Sequence, residues 1–135
     1  SRSFELKEFK TGAARMAIEA DVPILPVIVW GAQRIWTKDH PRSLGRAKIP
    51  VTVQVGAPLP VRDGIAQTDA ALRDSMTTLL HQAQRDYPNE PGAYWVPHRL
   101  GGTAPTRAEA ARIEADEAAA RSARKAVNPA ERPPQ

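Results

Sequence analysis

The eight residues Pro23-Ile24-Leu25-Pro26-Val27-Ile28-Val29-Trp30 constrain this chain more than any other stretch. They are apolar without alternation, rich in β-branched side chains and closed by Gly31, which is the pattern of a strand buried on both faces in a parallel sheet. Pro26 conflicts with that reading, because proline donates nothing to a ladder and is confined to edges, strand starts and bulges. Pairing is therefore expected to stop on one side of it. The surrounding uncharged run, Val22 to Gln33, is too short to span a bilayer, which takes roughly 18 apolar residues.

The elements around this strand follow from periodicity. Ala13, Met16, Ala17 and Ala20 recur at helical spacing before Pro23, which predicts a helix over about 12–20. Val51-Thr52-Val53-Gln54-Val55 alternates with period two, as a half-exposed strand does, and Gly56, Pro58 and Pro60 end it. Leu72, Met76, Leu79, Leu80 and Ala83 share one face of a second helix over about 69–85. The order helix, strand, strand, helix fits a layered α/β domain better than a bundle or an all-β fold.

The rest of the chain reads differently. Residues 88–105 are irregular, with aromatics and several prolines, and are expected to wrap on the domain and borrow its packing. From Thr106 a capping box, Thr106-Arg107-Ala108-Glu109, opens an alanine-rich run to Ala126 with only Ile113 as a large apolar residue. This tail, 106–135, is read as helical and exposed or as disordered, with its last eight residues loose.

With 135 residues and 41% apolar content, one compact domain fits and a second does not. The absence of cysteine excludes disulfide scaffolds, thiolate metal sites and thiol catalysis. The formal charge of +4 is unevenly spread, since residues 1–62 hold ten Lys and Arg against five acids. Between 34 and 48, Arg34, Lys38, Arg42, Arg46 and Lys48 face only Asp39, a cluster that attracts phosphate groups or else forms a solvated loop. A small basic nucleic-acid-binding module is the alternative reading; the scarcity of aromatics, 5% of residues with only Trp36 inside the loop, counts against it. A docking scaffold, a third reading, would need an apolar stripe that 106–126 lacks.

The three histidines, His40, His81 and His98, have no metal-ligand spacing, no serine sits at a nucleophile elbow, and Gly101-Gly102 is not a phosphate loop, so no metal site is expected. Lys10, two residues before a helix start, is the best local candidate for function, since unpaired amides there favour an anion. Gly12 serves close backbone approach or a permissive turn.

One set of motifs carries a family resemblance. Phe9-Lys10-Thr11-Gly12-Ala13-Ala14, a helix, Val22-Pro23-Ile24-Leu25-Pro26-Val27, then Trp30-Gly31 and later Val51-Thr52-Val53-Gln54-Val55-Gly56-Ala57-Pro58-Leu59 resemble the second half of the phospholipid and glycerol acyltransferases, of the 1-acylglycerol-3-phosphate (lysophosphatidate) type. In that family Val-Pro-x-x-Pro-Val is the fourth conserved motif, and the third, Phe-Pro-Glu-Gly-Thr-Arg, would end at about Ser1. The likeness covers residues 1–62 well and the helix over 69–85 loosely; 88–135 match nothing.

The resemblance implies part of a layered acyltransferase domain, 1–87, with a mostly parallel sheet and flanking helices. It implies acyl transfer from acyl-CoA or acyl-carrier protein, as co-substrate without further cofactor, to a lysophospholipid hydroxyl in phospholipid biosynthesis. It further implies peripheral attachment to an anionic membrane at its cytoplasmic face, with no nucleic-acid partner. Lys10, Gly12, Pro23 and Pro26 would lie at the substrate, and Arg34, Trp36, Lys38 and Arg42 at the membrane. The catalytic His-x4-Asp dyad of the family precedes its third motif. It is therefore expected upstream of Ser1; the chain, which begins with Ser1 and shows no leader pattern, is expected to be N-terminally incomplete and inactive alone. His81-Gln82-Ala83-Gln84-Arg85-Asp86 has the dyad spacing but follows the Val-Pro-x-x-Pro block and ends a helix, where a histidine is an ordinary last-turn residue.

Overall fold

A computed structural model describes residues 2–127 apart from 44 and 63. The looseness expected of the last eight residues, and the upstream dyad, lie outside the described residues. The chain runs α1 (Gly12–Ala20), β1 (Val27–Trp30), β2 (Thr52–Val55), α2 (Ile65–Arg85) and α3 (Arg107–Val127), with single 3-10 turns at Ala32–Arg34 and His98–Leu100. α1 ends where Asp21 adopts a left-handed conformation, φ 50°, its N–H closing back on Ala17 and Ile18 before Pro23. α2 begins about one turn before the residue that periodicity marks, after Gly64.

β1 and β2 pair antiparallel, with Val27 opposite Val55 and Val29 opposite Val53, and an isolated bridge between Ile24 and Leu59 extends the ribbon. Two expectations about these strands change. Residues 23–30 are not buried on both faces: Ile28 and Trp30 point inward, whereas Leu25, Val27 and Val29 are exposed. The strand has β2 as its one ladder partner and α2 against one face, so nothing described covers the other. In β2 the alternation expected of a half-exposed strand is present. Val53 and Val55 face outward and Thr52 and Gln54 inward, because the register stacks the valines of both strands on one side. The expected parallel pairing of residues 23–30 is likewise not found within this ribbon.

Pro26 sits where its missing N–H does no harm, between the Ile24–Leu59 bridge and β1, and its carbonyl accepts the Gly56 N–H at 2.9 Å. Its ring is fully buried and explains the glycine opposite: a Cβ on Gly56 would stand 2.8 Å from the Pro26 Cγ and from Leu79 Cδ1. The inward faces of β1 and α2 meet in the main core. Ile28, Trp30, Leu80 and Ala83 join Tyr87, Trp95 and Val96 there, with Met76 and Leu79 packed at its edge. The irregular segment 88–105 thus supplies core residues. Each large apolar side chain removed from water in this way contributes about 1.5–3 kcal/mol.

α3 is built on other principles. The capping box forms, the Thr106 N–H donating to Glu109 Oε2 at 2.8 Å and the Glu109 N–H donating to Thr106 Oγ1 at 3.3 Å. Beyond its first turn the stripe turned toward the body is Ala110, Glu114 and Glu117, at i, i+4 and i+7, one buried alanine and two half-buried glutamates.

Candidate functional site

The substrate residues expected from the sequence fall into two groups. Lys10 lies exposed in the irregular segment leading to α1, and no carboxylate among the described residues pairs with it. Gly12 is the first residue of α1. Nothing lies within 4 Å of where its Cβ would be, and its φ is not in the left-handed region, so packing makes no demand for glycine there. Thr11, which precedes the helix, makes no side-chain cap, leaving the first amides of α1 open beside Lys10. Pro23 is exposed at the end of the α1–β1 connection, and Pro26 is buried in the ribbon as described above.

The four residues expected at a membrane are also divided. Arg34 is turned toward the fold. Its guanidinium lies 4.5 Å from the Trp95 ring centre and 5.9 Å from that of Tyr87, and pairs with Glu90 at 2.6 Å. Nη1 donates to the Tyr87 hydroxyl at 3.3 Å, which in turn donates to the Pro50 carbonyl at 2.7 Å. Arg34 therefore ties the basic loop to the core. Gly31 makes this possible: at φ 100° a Cβ would lie 2.3 Å from the Pro50 oxygen.

Lys38 is likewise engaged, donating to Glu117 at 2.7 Å. Trp36 and Arg42 remain outward. Trp36 is 62% exposed, and the Arg42 guanidinium stacks 4.1 Å from its ring centre, forming an amphipathic knob; Arg46 and Lys48, farther along the loop, are exposed as well.

The histidines form no catalytic pair. His40 stacks on Tyr94 with ring centres 3.7 Å apart, and none of the three hydrogen-bonds a carboxylate among the described residues. His81 and Asp86 are not joined, Asp86 being the residue that ends α2. Burial, and then the neighbouring Arg99, hold the His81 imidazole below its ordinary pKa, with Glu5 opposing. The side chain is nevertheless exposed, near the C-terminal end of α2.

An ionic cluster that sequence reasoning missed lies where residues 2–7 meet α3. Arg2 pairs with Asp39 at 2.7 Å and also with Glu117, Lys7 pairs with Glu114 at 2.5 Å, and Glu5 takes Arg107 at 3.2 Å and Arg99 at 3.4 Å. Lys38 and then Arg2 lower the Glu117 pKa, Lys7 lowers that of Glu114, and Arg2 lowers that of Asp39. A cavity of about 390 Å³ opens beneath α3, lined by Ser3, Leu6, Lys7, Arg73, Arg107 and Glu114 among others. The partners lie as much as 115 positions apart, so no local spacing announces them.

A family model described as Acyltransferase matches residues 1–30, the stretch that carries the Arg2–Lys7 segment, α1 and β1. This supports the acyltransferase family and, in general terms, a transferase activity, without specifying donor or acceptor. No curated protein and no solved structure matches the chain. Among the described residues, no helix is long and apolar enough to cross a membrane.

Proposed function

We propose that residues 1–135 are the C-terminal, acceptor-side part of an acyltransferase that moves a fatty acyl group from acyl-CoA or acyl-carrier protein to the free hydroxyl of a lysophospholipid, with 1-acylglycerol-3-phosphate becoming phosphatidate. The observation that carries the reading is the acyltransferase match over 1–30, inside which an unpaired Lys10 stands beside the open N-terminus of α1. There the ammonium and the first amides of α1 hold the acceptor's phosphate, since both favour an anion, Thr11 makes no side-chain cap and nothing lies within 4 Å of where a Gly12 Cβ would be. Pro23 and Pro26 shape the strand end beside the acceptor, in a layered, mostly parallel domain to which this chain contributes one part. The knob of Trp36 and Arg42 rests on the anionic cytoplasmic face of the membrane that presents it. The base that removes the hydroxyl proton, a histidine oriented by an aspartate, belongs to a His-x4-Asp segment outside these residues, and the chain alone transfers no acyl group.

Titrating the chain with lysophosphatidate tests the acceptor site. Lys10→Ala is expected to weaken binding about tenfold, the loss of one charge-assisted hydrogen bond. Unchanged affinity would remove the phosphate from Lys10, and thiol release from acyl-CoA by the chain alone, lost in His81→Gln, would overturn the assignment of the base.

A further inference from the structure

A helix that docks on a protein normally turns its apolar stripe inward. α3 does the reverse, since past its first turn it presents Glu114 and Glu117 to the body. These two carboxylates pair off the charge of three cations from elsewhere in the chain: Glu114 takes Lys7, and Glu117 bridges Arg2 and Lys38, while the Lys7 and Lys38 side chains stay more than half exposed. The helix has little else to hold it there, as Ala110 is its one described side chain below a tenth exposed and Ile113 is 36% exposed. Its start is anchored separately. Ala104 is fully buried, Arg107 pairs with Glu5, and Thr106 and Glu109 close the capping box. The result is a strap hinged near residue 106 and latched at its middle by charge.

We infer that α3 is an acidic strap that masks a membrane-binding surface made of Arg2, Lys7 and Lys38, and that an anionic lipid bilayer displaces it. Three features give the partner its chemistry. The groups that α3 engages are all cations, and what it sets against them is a pair of carboxylates, with Asp39 of the body also held on Arg2, so the competing partner is anionic. Lys38 follows Trp36 by two residues, so the unmasked cations are continuous with the exposed Trp36–Arg42 knob, an indole and a guanidinium suited to a headgroup layer. Exchange of this kind costs little, because exposed ion pairs are individually weak and are screened by salt, while a charged bilayer offers many anions at once. Displacement also uncovers the cavity bounded by Lys7, Arg73 and Glu114. The inference rests on the membrane attachment in the proposed function and adds to it the surface that attaches and the element that controls it.

The test is vesicle sedimentation combined with hydrogen exchange, using phosphatidylcholine vesicles with and without phosphatidylglycerol. Glu114→Gln/Glu117→Gln is expected to bind the anionic vesicles more tightly, by about fivefold for each cation set free. Arg2→Gln/Lys7→Gln/Lys38→Gln is expected to bind more weakly than the native chain. Anionic vesicles should accelerate exchange at amides 111–123 of α3 while those of 72–84 in α2 stay slow, which also shows that each variant is folded. Neutral vesicles, and inorganic phosphate at the same ionic strength, should leave α3 protected. Equal vesicle affinity in the glutamine variant, vesicle binding with α3 still protected, or release of α3 by inorganic phosphate would each overturn the masking role. Lysophosphatidate binding at Lys10 is read separately, so its loss or survival does not decide the fate of the strap.

Discussion

The body of the molecule and α3 are held by different forces, and the contrast explains what each is suited to do. In the body, β1, α2 and the aromatic segment remove Trp30, Leu80, Tyr87, Trp95 and Val96 from water, and Arg34, a charge drawn against that core, is stacked on two rings and paired. α3 buries Ala110 and is otherwise fixed by carboxylates on exposed or half-exposed cations. Apolar burial is not weakened by moderate salt, whereas the attraction of exposed ion pairs falls as salt is added. One region is therefore a scaffold and the other an adjustable cover.

Breaking the scaffold should have the largest effect. Trp95→Ala removes a side chain 3% exposed and the surface on which Arg34 stacks, so it should lower unfolding stability by about 3–5 kcal/mol, read from denaturant midpoints. Gly31→Ala comes next. Its positive φ alone costs about 1–3 kcal/mol, and the approach to Pro50 adds to it, so the basic loop should detach from the core and Trp95 fluorescence should shift with it.

A smaller, pH-dependent effect belongs to His81. Its folded pKa lies below the ordinary 6.5, so the unfolded chain binds the proton more tightly. The stability associated with the neutral ring is complete above that value and declines as pH falls from it toward the folded pKa. Melting midpoints of His81→Gln should lack this slope, and a slope equal to that of the native chain would assign it to another group.

The same contrast governs what was legible in the sequence. α1 and α2 were readable because alanine and leucine spacing reports a local period, and the capping box because its two residues are three apart. The strands were readable as strands, but not the face each turned inward. Alternation in Val51-Thr52-Val53-Gln54-Val55 fixes a period of two, and only the pairing of Val53 with Val29 decides that the valines face out. Lys10 and Gly12 stood where their motif put them, at the start of α1. Arg34 read as a surface cation because Tyr87 and Trp95, which draw it inward, lie more than fifty residues away. The strap was invisible for a related reason: α3 has no apolar stripe, and its docking depends on charges supplied by residues 2–7 and 38.

The most direct test of this account is hydrogen exchange of the native chain at low and at high salt. The account predicts that amides 111–123 of α3 exchange markedly faster as salt rises while 72–84 of α2 do not change, and that lowering the pH below the ordinary glutamate range frees α3 in the same way, because Glu114 and Glu117 lose their charge. An α3 as well protected at high salt as at low, or one that opens only together with α2, would contradict it.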